Sequence, residues 1–179
     1  MRIISGKYRG MKLAVFDGTD IRPTADRVKE SLFNILYGKI LGGTVLDLFC
    51  GSGNLGMECI SRGAAYVHFN DVSKESIAVL KSNLKRIKET NFAVTNMDYL
   101  SCLLSVKKFG VIFIDPPYKS DFGEKSLEII GKNKLLETDG IAVFESDRSF
   151  TGKVHGLNKI DERKYGKTYI NFFVSDMEE

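Results

Sequence analysis

From residue 44 onward, short apolar runs alternate with longer segments in which apolar residues recur three and four positions apart. The runs have the β-branched and aromatic content of buried strands, and the longer segments have the period of helices. The predicted strands are Thr44–Phe49, Tyr66–Asn70, Phe92–Thr95, Phe109–Ile114 and Ile141–Glu145. The predicted helices are Asn54–Arg62, a helix capped by Ser73 that runs to Lys88, 99–107 and 122–132. This alternation predicts an α/β fold with a doubly wound, mostly parallel sheet.

The two ends of the chain have different patterns. Residues 1–16 predict a β-hairpin, because apolar runs at Arg2–Ser5 and Met11–Phe16 flank the turn-prone segment Gly6–Gly10. Thr24 is a candidate cap for a helix with apolar residues at helical spacing: Val28, Leu32, Phe33, Ile35 and Leu36. Near the C-terminus, runs at Lys159–Tyr165 and Thr168–Val174 flank Gly166–Lys167 and predict an antiparallel hairpin. We expect a single domain over residues 1–179, with an N-terminal arm (1–43) and a catalytic core (44–179).

Charge is unevenly distributed between the arm and the core. Residues 1–39 hold eight Lys/Arg and four Asp/Glu, whereas the rest of the chain holds 18 basic and 19 acidic residues. A basic arm on a near-neutral body is typical of proteins that contact a polyanion, although a solvated surface gives the same count. The candidate RNA-binding residues are therefore cations of the arm: Arg2, Lys7, Arg9, Arg22 and Arg27.

Composition excludes several classes of protein. The chain is 43% hydrophobic and 27% charged, as in globular proteins. No stretch approaches the roughly 18 apolar residues of a membrane helix, and the first ten residues lack the features of a signal peptide. Three cysteines without a CxxC pair predict free thiols in a reducing cytoplasm, and two isolated histidines offer no spacing for a metal site. We expect a cytoplasmic monomer that needs neither membrane nor metal.

A glycine-rich loop joins the first predicted strand to its helix. Gly51 and Gly53 let the backbone turn sharply and approach a ligand closely, and Gly51–Gly56 fits G-x-G-x-x-G. Asp71, at the end of the second strand, lies where an acid binds ribose hydroxyls. This pattern alone also fits an NAD-dependent enzyme.

Asp47 argues for a different cofactor. A carboxylate four residues before Gly51 would repel the pyrophosphate of a dinucleotide, whereas the ammonium and sulfonium of S-adenosylmethionine suit it. Asp98 follows the third strand and can accept a hydrogen bond from an adenine amine, although capping the next helix explains it equally well. The predicted cofactor-binding residues are Asp47, Phe49, Gly51, Ser52, Gly53, Asp71 and Asp98.

The most specific motif is Asp115-Pro116-Pro117-Tyr118 at the end of an apolar strand. Two prolines make a rigid turn that presents a carboxylate, backbone carbonyls and an aromatic ring. An exocyclic base amine is a poor nucleophile, so it needs acceptors that hold its N–H groups and aim its lone pair at the methyl carbon. Asp115 and the Pro116 carbonyl can do this while Tyr118 stacks on the extruded base. The motif predicts an amino-methyltransferase without a covalent nucleophile.

Nearly the whole chain resembles the RsmD family of bacterial small-subunit ribosomal RNA guanine-N2 methyltransferases. The opening hexapeptide Met1–Gly6 and the segment Arg22–Glu30 are the narrow motifs, whereas the glycine loop and Asp115–Tyr118 occur in many amino-methyltransferases. Other matching segments are Leu32–Leu36, Leu46–Gly53, Ser61–Ala64 and Tyr165–Gly166.

This resemblance implies a class I S-adenosylmethionine-dependent methyltransferase fold and a ribosomal RNA or small-subunit substrate. It implies that Asp47, Gly51 and Gly53 surround the methionine part of the cofactor, with Asp71 at the ribose and Asp98 at the adenine. Asp115–Tyr118 would hold the guanine, and the arm would contact RNA. The family usually carries Glu where this chain has Asp71, so the shorter side chain makes a less direct ribose contact.

Three other functions stay open at this point. An adenine-N6 DNA or RNA methyltransferase uses the same tetrapeptide, although duplex readout usually needs a recognition domain larger than this arm. A non-catalytic RNA-binding factor on the same fold is disfavoured by the intact Asp115–Tyr118 motif. A dehydrogenase would need a catalytic His or Tyr-x-x-x-Lys and a substrate domain, for which the sequence gives no indication.

Overall fold

The computed structural model describes residues 1–15, 23–117 and 120–176, of which 23–25 are described by their backbone alone. A single seven-stranded sheet forms the centre of these residues. The strands are β1 (Thr44–Asp47), β2 (Tyr66–Asn70), β3 (Phe92–Thr95), β4 (Phe109–Ile114), β5 (Leu136–Ser146), β6 (Leu157–Tyr165) and β7 (Thr168–Ser175). Their order in the sheet is β3-β2-β1-β4-β5-β7-β6. Strands β1 to β5 are parallel, whereas β7 runs antiparallel to β5 and β6. The doubly wound sheet and the terminal antiparallel hairpin are confirmed.

Helices cover both faces of this sheet. They are α1 (Pro23–Ile35), α2 (Asn54–Ser61), α3 (Lys74–Leu84), α4 (Tyr99–Ser105) and α5 (Phe122–Lys132). Successive residues of β1 point to opposite faces, so Val45 joins one buried cluster with α1, α2 and α3, and Leu46 joins another with α4 and α5. Two apolar layers therefore fix the strands from both sides, as parallel sheets require.

Several elements have boundaries that differ from those predicted, and three of the differences have a clear physical cause. Strand β5 begins at Leu136 rather than Ile141. Residues 137–140 resemble a turn in the sequence, but the strand includes them because its register with β4 shifts between Phe109 and Val111. Helix α3 ends at Leu84 rather than Lys88, since Arg86 and Ile87 donate to carbonyls only three residues back. Helix α1 begins at Pro23, a favoured first residue, and so already contains Thr24, the predicted cap.

The predicted N-terminal hairpin is present as a short ladder. The Ile3 amide donates to the Met11 carbonyl over 3.0 Å, and the Leu13 amide donates to the Met1 carbonyl over 3.0 Å. Among the described residues of this hairpin, only Arg2 and Lys12 form a β-bridge, so neither side of the hairpin is a strand. Phe16, the last residue of the predicted second side, lies outside the described residues. Ile3 and Leu13 are buried in the same cluster as α1 and α2.

Glu58, fully buried in α2, anchors this hairpin. Its carboxylate accepts hydrogen bonds from the Ile4 amide (2.8 Å) and the Ser5 amide (3.0 Å). The same carboxylate pairs with Lys29 of α1 at 3.2 Å and with Arg62 at 2.8 Å. A buried carboxylate needs such compensation, and here two cations and two amides supply it. The hairpin, α1 and α2 are therefore joined at one polar centre.

Candidate active site

Five acidic residues lie along one edge of the sheet. Parallel strands have their carboxyl ends at the same edge, which is where open α/β sheets bind ligands. Each of β1 to β5 brings one acid to this edge, at its last residues or just beyond them: Asp47, Asp71, Asp98, Asp115 and Glu145. The sequence predicted the first four as site residues and did not single out Glu145.

Asp47 ends β1 beneath the glycine-rich loop. It is 2% exposed, and its Oδ2 accepts a hydrogen bond from the Gly56 amide at 2.9 Å. Burial and, to a smaller extent, the charge of Asp71 raise the pKa of Asp47 to about 7, and the hydrogen bond from the Gly56 amide opposes this shift. The fold thus holds a carboxylate that a cation in the adjoining cleft would stabilise.

Asp71 shapes the loop from the neighbouring strand. Its Oδ2 accepts from the Gly51 amide at 2.8 Å, and its Oδ1 accepts from the Ser73 amide at 2.8 Å. Asn70, 1% exposed, donates to the carbonyls of Leu48 (3.2 Å) and Met97 (3.1 Å). These contacts hold the ends of β1, β2 and β3 together. Each carboxylate oxygen of Asp71 accepts one N–H and can still accept a second donor.

An aromatic cleft of about 500 Å³ lies beside Asp71. Tyr99 stands between Phe122, with ring centroids 5.0 Å apart, and Phe49, at 5.8 Å. Asp71 and Asp98 lie on the rim of this cleft, and Asp115 lies at one end of it. A flat heteroaromatic ring with polar edges suits such a lining.

Asp98 caps helix α4. Its Oδ1 accepts from the Ser101 amide at 3.0 Å and its Oδ2 from the Ser101 hydroxyl at 2.6 Å. These hydrogen bonds, led by that of the hydroxyl, hold the pKa of Asp98 below its usual range. The capping role that the sequence allowed is therefore present, and the exposed carboxylate also faces the aromatic cleft.

A second, more polar cleft of about 610 Å³ adjoins the first. It is lined by the glycine-rich loop on one side and by β7 and the β6–β7 turn on the other, where Lys167, Thr168 and Ile170 lie. Phe49 and Asp115 line both clefts, so the two spaces meet at these residues. Asp47, Gly51 and Ser52 line the polar cleft, as predicted for a cofactor loop.

Gly53 lies behind the loop surface and shapes it from there. It adopts φ +89 as the residue before α2, and a Cβ would meet Leu80 Cδ1 at 2.4 Å. Gly51 also has a positive φ, +53, but a Cβ there would meet nothing within 4 Å. The two predicted glycines therefore differ: Gly53 permits packing of the loop, and Gly51 leaves space at the cleft.

Buried Lys29 and half-buried Asn54 form a hydrogen-bonded pair in the wall of the polar cleft, and the sequence did not predict it. The Lys29 ammonium donates to the Arg2 carbonyl (2.6 Å) and to Asn54 Oδ1 (2.9 Å), and it contacts Glu58 Oε2 at 3.2 Å. Burial lowers the pKa of Lys29, and the charge of Glu58 opposes this effect. Because an ammonium can only donate, it must face the amide oxygen of Asn54. The Asn54 NH2 group is thereby directed away from Lys29, as a donor beside the cleft.

Asp115 follows β4 at the junction of the clefts. Its side chain is exposed, whereas Pro116 is buried behind it. Desolvation and the charges of Glu145 and Asp47 raise the pKa of Asp115 well above its ordinary value. The carbonyl of Pro117 accepts from the Ser120 hydroxyl at 2.8 Å, and Tyr118 lies outside the described residues.

The cysteines are free and buried, as predicted. Burial raises the pKa of Cys102 to about 11 and raises that of Cys50, which borders the polar cleft, further. Neither thiol is a ready thiolate, so neither suits nucleophilic catalysis. Among the described residues, no group of three or more His, Cys, Asp or Glu side chains could hold a metal ion. No helix in the described ranges is long and apolar enough to cross a membrane.

The predicted RNA-binding cations have different surroundings. Arg2 pairs with Asp26 at 2.9 Å, and Lys7 pairs with Glu89 at 2.5 Å. Arg9 and Arg27 are exposed and make no ion pair among the residues that the structure describes, and Arg22 lies outside them. The hairpin also packs beside the segment that follows α3, where the Tyr8 hydroxyl accepts from the Lys88 amide at 2.9 Å. This adds exposed cations that the sequence did not single out: Lys81, Lys85, Arg86 and Lys88.

Similar proteins support the sequence resemblance. A family model described as "Conserved hypothetical protein 95" matches residues 1–174. The ribosomal RNA small subunit methyltransferase D of Haemophilus influenzae is 35% identical over 153 residues, which cover 83% of this chain and 79% of that protein. YlbH of Bacillus subtilis, provisionally named an rRNA methyltransferase, is 43% identical over 153 residues, 83% of each chain.

Solved structures show the same fold. That of yhhF from Escherichia coli, provisionally named a methyltransferase, has a TM-score of 0.89 at 31% identity and covers 99% of both chains. SMU.776, a provisionally named methyltransferase in complex with S-adenosylhomocysteine (SAH), has a TM-score of 0.67 at 15% identity, covering 86% of this chain and 50% of that one. The fold is that of class I S-adenosylmethionine-dependent methyltransferases, and the chain belongs to the RsmD family, which includes the ribosomal RNA small subunit methyltransferases D.

Proposed function

We propose that this protein transfers a methyl group from S-adenosylmethionine to the N2 amine of a guanine in small-subunit ribosomal RNA. The observation that carries this proposal is the position of Asp115, which lines both the aromatic and the polar cleft, with Pro116 and Pro117 beside it in the aromatic cleft. A cofactor that spans both clefts would bring its reactive group to this junction. The relatives named small subunit methyltransferase D support ribosomal RNA as the substrate, and the sequence resemblance implies guanine N2.

The polar cleft fits the methionine part of the cofactor. Asp47 offers a buried carboxylate to the ammonium group, and Gly51 leaves open the space that a side chain would fill. The Asn54 NH2 group, oriented by Lys29, is a donor for the carboxylate group. The cationic ligand would also shift Asp47 toward its charged form, so binding and ionisation support each other.

The aromatic cleft fits the adenosine part. Phe49, Tyr99 and Phe122 supply ring surfaces for the adenine. Asp71 would accept from the ribose hydroxyls, and Asp98 from the adenine amine, each with an oxygen that already accepts one hydrogen bond. These contacts are the roles that the resemblance implies.

The residues at the junction perform the chemistry by positioning. When bound, S-adenosylmethionine would supply a methyl group on a sulfonium, and a neutral thioether would be the leaving group. The Asp115 carboxylate and the Pro116 carbonyl accept the two N–H groups of N2 and aim its lone pair at the methyl carbon. As the new N–C bond forms, the nitrogen becomes cationic and loses one proton, to Asp115 or to water. A raised pKa makes Asp115 a better proton acceptor, and Tyr118 is proposed to stack on the base.

RNA contact is proposed for the exposed cations of the arm. Arg9 and Arg27 have no ion pair among the described residues, whereas Arg2 and Lys7 must exchange Asp26 and Glu89 for phosphate. An arginine fork can bind a phosphate bidentately, so Arg9, Arg27 and Arg22 are the favoured contacts.

Two measurements test this function. Calorimetry should show micromolar binding of S-adenosylmethionine or SAH, and no binding of NAD. With labelled cofactor, transfer to purified small subunits should fall by about 10²–10³ in Asp115→Ala, while cofactor affinity stays within a few fold. Near-normal turnover in this variant would show that the chemistry lies elsewhere, and preferential NAD binding would overturn the cofactor assignment.

A further inference from the structure

Glu145 lies beside Asp115 at the junction of the clefts. Ile114 of β4 is in register with Phe144 of β5, so the next residues, Asp115 and Glu145, follow on neighbouring parallel strands. Adjacent strands lie about 4.8 Å apart, and both carboxylates line the polar cleft. Glu145 and Pro116 also line a third cleft, of about 750 Å³. Glu145 therefore borders both the polar cleft and this third cleft.

The backbone that carries Glu145 is held firmly on both sides. Strand β5 pairs with β7, where Glu145 lies opposite Ile170 and Phe144 lies opposite Asn171. The fully buried Asn171 donates to the Phe144 carbonyl (3.3 Å) and to the Ser146 hydroxyl (3.1 Å), the residues on either side of Glu145. A side chain on such a support is preorganised for recognition.

Two adjacent carboxylates complement one edge of guanine in particular. The Watson–Crick edge of guanine presents two neighbouring donors, N1–H and the N2 amine. Adenine presents an unprotonated N1 at the equivalent place, and its lone pair would face a carboxylate. A site whose acceptors are covered by the bound base rejects a ligand that lacks the matching donor, because the acceptor loses water without gaining a partner.

We propose that Glu145 reads the target base by accepting a hydrogen bond from guanine N1–H, while Asp115 accepts one from N2. Glu145 is thus a specificity-determining residue. This role also explains why the site has a second carboxylate, which methyl transfer itself does not require. This inference rests on the proposed function, since it assigns a reader for the same guanine. The N1–H and N2–H donors of the bound base would also compensate the repulsion between the neighbouring carboxylates of Asp115 and Glu145.

The test compares guanine with 2,6-diaminopurine at the methylated position. This analogue keeps the N2 amine, but its N1 is unprotonated and an amine replaces the O6 carbonyl. The contact assigned to Glu145 is therefore identified by comparing the wild-type protein with Glu145→Gln on both bases. Small subunits are reconstituted with either base at the position that nucleoside mapping identifies, and single-turnover methyl transfer is measured. The wild-type protein should prefer guanine by about 10²-fold or more. In Glu145→Gln the preference should fall to within about tenfold, because the amide can donate to the analogue's N1.

Controls separate base reading from a structural role. Glu128→Gln removes the same charge from an exposed site on α5 and should keep the wild-type preference. Cofactor affinity and melting temperature of Glu145→Gln should stay close to wild type. Equal losses on both bases, with the guanine preference intact, would overturn the inference and make Glu145 a support for Asp115. Absence of guanine methylation by the wild-type protein on native subunits would instead refute the proposed function.

Discussion

At the scale of single residues, two carboxylates of the site, Asp47 and Asp115, have raised pKa values, so their ionisation is unfavourable in the cofactor-free protein. Asp47 is nearly fully buried, and one backbone amide only partly offsets its lost hydration. The sulfonium and ammonium of the proposed cofactor would supply the missing compensation. The cofactor-free protein therefore carries a stability cost at Asp47 that binding removes.

Replacement of Asp47 by Asn measures this cost. The pKa of Asp47 is raised to about 7 from an ordinary 3.8, so the native state holds a proton that the unfolded state has already lost between these values. Stability from this group is therefore greatest below pH 4 and decreases as pH rises toward 7, by about 1.4 kcal/mol per pH unit at most. Asp47→Asn should raise the melting temperature of the cofactor-free protein at pH 8 and make that temperature less dependent on pH between pH 5 and 8. It should also weaken cofactor binding at least tenfold.

Asp139→Asn provides the control for this change. Asp139 is exposed and lies at a positive φ that Asn tolerates, so the variant loses a charge without a change in burial. It should follow the wild-type pH profile. A lower melting temperature of Asp47→Asn at pH 8 would contradict the account, because it would mean that the native state already stabilises the ionised carboxylate.

At the scale of elements, the glycine-rich loop shows which parts of the site follow from the sequence. The spacing of Gly51 and Gly53 after a strand predicted a loop that approaches a ligand, and both glycines have the required positive φ. The sequence did not predict that Asp71 holds this loop through the Gly51 amide, or that Lys29 orients Asn54. These contacts join residues far apart in the chain, and local periodicity carries no information about such pairs.

The two glycines should respond differently to substitution by alanine. In Gly53→Ala the new methyl group would collide with the buried Leu80, and we expect a loss of about 1–3 kcal/mol in the free energy of unfolding. Gly51→Ala meets open space, so its loss should stay near 1 kcal/mol, yet its methyl group would obstruct the cleft and weaken cofactor binding. Denaturant titration and calorimetry distinguish them. Equal destabilisation with unchanged affinity would refute the assigned roles.

The arm is the element for which sequence reasoning was least complete. Its charge predicted a surface segment that contacts RNA, but Ile3 and Leu13 are core residues and Glu58 binds the hairpin backbone. The sequence does not indicate that Glu58, in a short helix, binds the amides of Ile4 and Ser5, which lie more than fifty residues away. The cations of the arm consequently stand on a fixed support.

Arg9 and Arg27 test the RNA contact. Their replacement by Ala should weaken binding to small-subunit RNA and reduce the slope of log affinity against log salt by roughly 0.7–0.9 for each phosphate that is no longer bound. Cofactor affinity should not change. Lys107→Ala with Lys108→Ala removes two exposed charges from the segment before β4 and serves as the matched control. A lower melting temperature with unchanged RNA affinity would identify the arginines as structural supports.

At the scale of the whole molecule, one sheet edge brings five acids and two clefts to a common point. The order of strands and helices was predictable, because each buried strand and amphipathic helix has its own period in the sequence. The placement of Glu145 was not, since it depends on the register between β4 and β5 and on the pairing of β5 with β7. The methyltransferase fold and the family are established by similar proteins, and the base that is methylated is the claim that most needs measurement.

The most direct test is nucleoside analysis of methylated small subunits. Subunits purified from cells that lack this protein are incubated with it and with labelled S-adenosylmethionine, and their RNA is digested and analysed by chromatography and mass spectrometry. The account predicts that the label appears in N2-methylguanosine, and that Asp115→Ala reduces it by about 10²–10³. Label in N6-methyladenosine, in ribosomal protein, or in no product at all would contradict it.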